Sequence, residues 1–220
     1  MSAVLTDHDL ASVAASLESA TPEEIVRWAA ETFGERLCLT TSLTDAVLVD
    51  LVARVAPGTE VVFLDTQYHF PETLATLEVV RERYPVKVHV RRPKIPLDDL
   101  WRTDTDACCA VRKVAQLDAA LAGKEAWLSG LRRDDSPDRA HTPIVERDRR
   151  GLVKINPIAN WTDDDVALYI QLHDVPVNPL VARGYPSVGC WPCTQAVAAG
   201  VDKRAGRWAG TGKTECGLHL

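Results

Sequence analysis

The 220-residue sequence has no apolar run approaching the roughly 18 residues that cross a bilayer, and no membrane span is expected. Its N-terminus lacks the basic region of an export signal: residues 1–10 carry Asp7 and Asp9 and neither Lys nor Arg. A cytoplasmic protein is therefore expected. Positive charge is not in excess either. The formal net charge is −6, and the first 50 residues set nine acidic side chains against Arg27 and Arg36. A general nucleic-acid-binding surface would be basic, so that class is not expected. Internal repeats and low-complexity tracts are absent. With 46% hydrophobic and 25% charged residues, the chain is neither globally disordered nor too small to bury a core.

Strand-like and helix-like patterns alternate. Helices are expected over 7–19 and 21–33, the second opened by Thr21-Pro22-Glu23-Glu24, where Thr21 caps and Glu24 stands three residues on. Apolar strands over 36–41, 60–65, 86–90 and 126–129 are separated by helical patterns over 45–55, 71–84 and 109–122. This order predicts an α/β fold, a parallel twisted sheet flanked by helices. Ligands then belong beyond the carboxyl ends of the strands, at 41–45, at Asp65-Thr66 and at 130–133. Residues 130–150 read as a long polar loop and 162–173 as a helix capped by Thr162. Residues 174–220 read as irregular, and a stretch of that length rich in Cys, Trp and Arg is expected to be functional. The chain is read as one domain over 1–220, with N-terminal helices over 1–35, an α/β core over 36–173 and a Cys-rich segment over 174–220.

The six cysteines carry most of the chemical signal. With no export signal, a disulfide scaffold is not expected. Cys190-Trp191-Pro192-Cys193 and Cys108-Cys109 together offer four thiolates, enough for a tetrahedral metal site or a cubane cluster. Adjacent cysteines diverge, which suits a cluster better than a zinc knuckle, though both remain open on the residues alone. A thioredoxin-like redox pair is a weak reading, because this CxxC opens no strong helix. Cys38, between Leu37 and Leu39, reads as core. Cys216 stands alone near the end, close to Lys213 and His219, and reads as a thiolate nucleophile.

Five segments, in order, resemble one family. They are 63–73 (FLDTQYHFPET), 108–113 (CCAVRK), 130–136 (GLRRDDS), 184–194 (GYPSVGCWPCT), and 204–208 (RAGRW) with 213–219 (KTECGLH). The chain is similar to the iron–sulfur branch of the APS/PAPS reductase family, the assimilatory adenylylsulfate reductases. The resemblance implies a nucleotide-binding sheet related to ATP pyrophosphatases (adenine nucleotide α-hydrolase-like). It implies a 4Fe–4S cluster on Cys108, Cys109, Cys190 and Cys193, and reduction of adenylylsulfate to sulfite and AMP by reduced thioredoxin. Two departures stand out. The turn Thr41-Ser42-Leu43-Thr44-Asp45 lacks the glycine often found in the family's phosphate loop, and Thr105 and Asp106 stand where some relatives carry histidine.

On this resemblance Cys216 attacks sulfur, AMP leaves, and an S-sulfocysteine is resolved by thioredoxin. Lys113, Arg132, Arg204 and Arg207 are the expected oxyanion clamps. Lys113 lies four residues after Cys109 and so on the same helical face. Ser42, Leu64, Asp65, Thr66 and Gly130 are expected around the nucleotide, and His219 beside substrate or thiolate. Asp65 also fits a plain turn role. The cluster is read as structural and electrostatic, since thioredoxin supplies both electrons. PAPS reduction by the same route is the nearest alternative. A zinc-containing ATP-pyrophosphatase-type enzyme would need a glycine-rich ATP turn, and a nucleotide-binding sensor would have no use for Glu215-Cys216-Gly217-Leu218-His219. Adenylylsulfate and thioredoxin are the expected partners, and a homo-oligomer is compatible with the sequence.

Overall fold

The computed structural model describes residues 6–219; residues 1–5 and 220, the ends of the expected domain, lie outside it. Two helices lead. In α1 (Asp7–Leu17) Thr6 caps and Asp9 returns the bond, and α2 (Pro22–Phe33) opens with the expected Thr21–Glu24 pair. Each such reciprocal pair satisfies two otherwise orphaned amide donors.

The sheet follows: β1 (Leu37–Thr41), α3 (Val47–Val55), β2 (Glu60–Leu64), α4 (Pro71–Arg83), β3 (Val88–Arg91), then α5 (Leu100–Thr103), α6 (Thr105–Cys109), α7 (Ala115–Leu121) and β4 (Ala126–Leu128). Two strands were hidden in and just after the expected 130–150 loop: β5 (Val145–Arg147) and β6 (Val153–Ile155). The helix α8 (Asp163–His173) follows. The six strands stand in the order β3-β2-β1-β4-β6-β5, with every pairing parallel except the β5–β6 hairpin. β5 and β6 escaped the sequence reading because each has three residues, too short for a period to show, and because the buried Lys154 of β6 looks like a surface residue. Its ammonium pairs with Glu146 at 2.8 Å and lies 5.7 Å from the Trp127 ring centroid.

Alternate residues of the central strands face opposite layers. Leu37, Leu39, Val61, Phe63 and Leu128 pack with α2 and α3, while Cys38, Val62, Leu64 and Trp127 pack with Leu117 and Leu121 of α7. Cys38 is fully buried, and burial pushes its thiol up to about 12. It is core. The order of strand addition reverses between β1 and β4, which pair in parallel, so the connections leaving their carboxyl ends run to opposite sides. In open α/β sheets the crevice at such a switch is where ligands bind. Residues 174–219 run across this edge, tied to it by isolated bridges from Val177 to Asp45 and from Cys190 to His69.

Candidate functional site

A cleft of about 250 Å³ opens at the carboxyl ends of β1, β2 and β4 under the terminal segment. Ser42 comes from the turn after β1, Leu64 and Thr66 from the end of β2, and Gly130 and Arg132 from the end of β4. Lys113 reaches it from the helical layer, and Arg204, Arg207, Cys216 and His219 from the terminal segment. Asp65 alone among the expected residues does not line it. Its carboxylate accepts from the Gln67 amide at 2.8 Å and from Arg92 Nε at 2.8 Å. The turn role is the one the structure gives it, because neighbours along an extended chain point opposite ways and Thr66 takes the inward side.

The glycine-free turn after β1 solves its geometry with Leu43, which sits at φ +59° and is buried. That left-handed conformation costs an L-residue roughly 1–2 kcal/mol. Leu43 burial and the buried Asn178 offset it, the Asn178 amide donating to Leu43 O at 3.2 Å and to Thr73 Oγ1 at 3.0 Å. Asp45 closes the turn by accepting from Val47 N at 3.0 Å, and burial raises its pKa.

Six cations line the cleft: Lys113, Arg132, Arg139, Lys203, Arg204 and Arg207. Four already hold carboxylates. Arg132 pairs with Asp163 at 2.7 Å and Asp135 at 3.0 Å, and Lys203 with Asp163 at 2.8 Å. Arg139 pairs with Asp135 at 3.0 Å and Glu215 at 2.7 Å, and Arg204 with Glu215 at 3.1 Å. Among the described residues Lys113 and Arg207 have no carboxylate partner. Arg207 donates to Ser187 Oγ at 3.1 Å and packs 4.7 Å from the Trp208 ring centroid. Gly189 makes room for it, since a Cβ there would collide with the Arg207 guanidinium. Trp208 is buried, and its indole N–H has no partner among the described residues.

Lys113 joins this cleft to a second, smaller cavity. It belongs to a widened π-type turn, Ala110–Val114, between α6 and α7. The turn lets two neighbours, Arg112 and Lys113, both point inward, an arrangement typical of functional positions. Arg112 stays structural: it donates to Pro96 O at 2.7 Å and Asp98 at 2.9 Å and lies 4.7 Å from the Tyr68 ring centroid. Burial opposes the Lys113 charge, yet the sulfurs of Cys190, Cys216 and Cys109 hold its pKa above the ordinary lysine value.

The smaller cavity is lined by all four expected ligand cysteines. Cys108 and Cys109 end α6, whose start is capped by Asp104 accepting from Ala107 N at 2.9 Å. Cys190 and Cys193 bracket the short turn Trp191–Cys193. Thr66 Oγ1 lies 3.2 Å from Cys190 Sγ, and Trp208 N donates to Cys193 O at 2.9 Å. Burial, then the neighbouring thiols, push Cys108 up to about 11, and burial also raises Cys109 and Cys193. Among the described residues no group of three or more His, Cys, Asp or Glu is placed to hold a single metal ion.

The tail closes the site. Leu218 packs against the apolar layer holding Trp127 and Leu117, and His219 stacks on Trp127, 5.8 Å between centroids and 14° between planes. Burial, with Lys154 and Arg139 nearby, holds the His219 pKa well below the ordinary histidine value. A phosphoadenosine phosphosulfate reductase domain matches residues 36–196. The chain belongs to that reductase family. It is 53% identical over 212 residues to an adenosine 5'-phosphosulfate reductase of Streptomyces coelicolor, covering 92% of this chain and 90% of the relative. A reductase of the same name from Mycobacteroides abscessus is 48% identical over 94% of this chain and 91% of its own. A crystal structure of phosphoadenylyl-sulfate reductase from Candida auris, a phosphate complex, superposes with a TM-score of 0.79 at 30% identity, covering 90% of this chain and all of that one.

Arg139 and Lys203 were missed by the sequence reading of this reductase-family chain. Both sit among other charges in irregular stretches, where composition does not tell which side chain turns inward. Adjacent Arg132 and Arg133 make the point: Arg132 lines the cleft, while Arg133 donates to Thr142 O at 2.8 Å and pairs with Glu18 beside α1.

Proposed function

We propose that this chain reduces adenylylsulfate to sulfite and AMP, with a thioredoxin-class dithiol protein as reductant, and that Cys216 carries the sulfur between them. The observation that carries the reading is the position of Cys216. A lone tail thiol lines the same cleft as Lys113 and Arg207, the two cleft cations that no carboxylate holds among the described residues. The names of relatives at 53% and 48% identity support adenylylsulfate over its 3′-phosphorylated form.

The Cys216 thiolate attacks the sulfate sulfur. The bond from that sulfur to the bridging oxygen breaks, and its electron pair leaves with AMP. Cys216 then bears an S-sulfonate. Lys113, beside Cys216, stabilises the thiolate and, with Arg207, the oxyanion charge that develops on the transferring group. A thiolate of the dithiol protein attacks Cys216 Sγ and expels sulfite, and its second thiol resolves the mixed disulfide and returns Cys216 to the thiol. The two electrons come from that dithiol. This chemistry belongs in a reducing compartment, which makes the cytoplasm its setting.

Cys108, Cys109, Cys190 and Cys193 would hold a 4Fe–4S cluster. The donor set fits: four thiols from two segments line one cavity, and the buried Lys113 ammonium offsets thiolate charge. Bound there, the cluster would supply a covalent tie between the two segments and negative charge beside Lys113. The chain's own residues perform the sulfur transfer.

The test is anaerobic purification, metal and sulfide analysis, and a sulfite assay with reduced thioredoxin on adenylylsulfate and its 3′-phosphorylated analogue. About four irons and four sulfides per chain are expected, with sulfite formed from adenylylsulfate. One zinc and no iron would break the cluster reading. Sulfite from a Cys216→Ser variant would break the mechanism.

A further inference from the structure

The four-thiol cavity has two unlike sides. Tyr68, Arg112 and Lys113 on its inner side are buried. Trp101, Thr105 and Pro192 on its outer side are half-buried, and Trp101 is much the largest of the three. Trp101 comes from the four-residue helix α5 and packs against the buried group of Tyr68, Cys108 and Cys190.

A second indole lies against the first. Trp191 stands between Cys190 and Cys193 and is 47% exposed. Its ring meets Trp101 at 5.7 Å between centroids and 65° between planes, and Tyr68 at 6.4 Å and 72°. Edge-to-face contacts of this geometry are favourable between aromatic rings. The backbone fixes Trp191 in place, its N–H donating to Tyr68 O at 2.8 Å. The exposed Arg102 side chain lies over Trp101, its guanidinium carbon 4.7 Å from the ring centroid. Neither tryptophan is among the residues that line the larger cleft. The cavity is framed by short elements, α5, α6 and the turn Trp191–Cys193, so side chains must supply most of its cover. Apolar bulk around a metal centre controls how water and solutes reach it.

We propose that Trp101 and Trp191 form a two-layer aromatic shield on the outer side of the cavity, which keeps water-borne solutes from the cluster that the four thiols would hold. The proposal rests on the cluster reading above for what is shielded, and on geometry for the shield itself. Neither indole takes part in the sulfur transfer.

The experiment loads the full-length enzyme and its variants with iron and sulfide. It follows iron release to a water-soluble ferrous chelator under anaerobic conditions, with the urea midpoint and the initial sulfite rate per bound cluster measured beside it. Trp101→Ala is expected to release iron about tenfold faster or more, as loss of a group packed around a metal centre does, and Trp191→Ala several-fold faster. Trp101→Phe keeps an aromatic ring in place and should stay close to wild type. So should Leu172→Ala, an exposed apolar side chain on α8. The urea midpoint and the initial sulfite rate per bound cluster should hold in Trp101→Ala. Unchanged release in Trp101→Ala, or release as fast in Trp101→Phe, would overturn the proposal. So would a fall in urea midpoint that accounts for the faster release, or a matching loss of the initial sulfite rate. Where Trp101→Ala takes up no iron, Trp191→Ala carries the test, and unchanged release there overturns the proposal. A wild-type chain purified without iron would defeat the cluster reading instead. Maleimide labelling of Cys108 and Cys193 in that chain would still judge the shield, with faster labelling expected in Trp101→Ala and equal rates overturning it.

Discussion

The sheet and the tail are held by different forces. Leu37, Leu39, Val61, Phe63, Leu128 and Ile155 sit at 0–1% exposure in a continuous apolar layer, and burial of such side chains contributes roughly 1.5–3 kcal/mol each. Residues 174–219 bury fewer apolar side chains, Val175, Leu180, Val188 and Trp208 among them, and are also pinned by charges: Arg183 to Glu72, Lys203 to Asp163, Arg204 to Glu215 and Lys213 to Asp106. The pairs with an exposed partner are worth little individually and weaken with salt, whereas Arg204 and Glu215 are shielded. The chemistry therefore rides on the part of the chain with the weaker grip, while the sheet supplies rigid strand ends. On the proposed mechanism, a nucleophile that meets a nucleotide inside the cleft and then a dithiol protein outside it would need such a grip.

Four changes would break or sharpen this contrast. The largest is Cys216→Ser, expected to remove sulfite formation by at least about a thousandfold, as deletion of a covalent nucleophile does, while the urea midpoint holds. An equal loss of stability would show that the tail supports the sheet. Leu51→Ala in α3 should act the other way: about 2–5 kcal/mol of stability lost on urea unfolding, as for a fully buried leucine, with turnover per folded molecule preserved. Arg207→Gln should raise KM about tenfold with a smaller change in kcat, the mark of a lost charged contact worth about 1.4 kcal/mol. A kcat effect alone would remove Arg207 from the substrate clamp.

The smallest effect is in pH. Burial, together with nearby cations, lowers the pKa of both His219 and His69 from 6.5. The unfolded chain then takes up protons that the folded chain refuses, so stability is full above about pH 6.5 and falls as pH drops below it. Urea midpoints at pH 7.5 and 5.5 measure the fall, and His219→Asn should reduce it. An unchanged pH slope in that variant would show that His219 protonation does not oppose docking of the tail.

The central strands were legible because residues buried on both faces read as unbroken apolar runs, as 61–64 does. β5 and β6 were not, since three residues show no period and Lys154 disguises a buried strand. The cysteine set was legible because thiols are rare and chemically specific. Asp65 was assigned to the nucleotide on motif position, while the structure turns its carboxylate to Arg92, because one residue along an extended chain reverses the direction of a side chain. Arg139 was illegible among the six arginines of 130–150.

By itself the sequence determined the layered α/β class, the positions of four strands and the identity of the thiols, because local periodicity and side-chain chemistry are properties of short segments. Tertiary structure alone decided which cations stay free and which are spent on the protein. Arg139 and Glu215 are 76 residues apart, and Coulomb energy depends on distance in space, which only the folded chain sets. Among the described residues Lys113 and Arg207 face the cleft without a carboxylate for that reason, and Arg132, Arg139, Lys203 and Arg204 pair with acids of the walls and the tail.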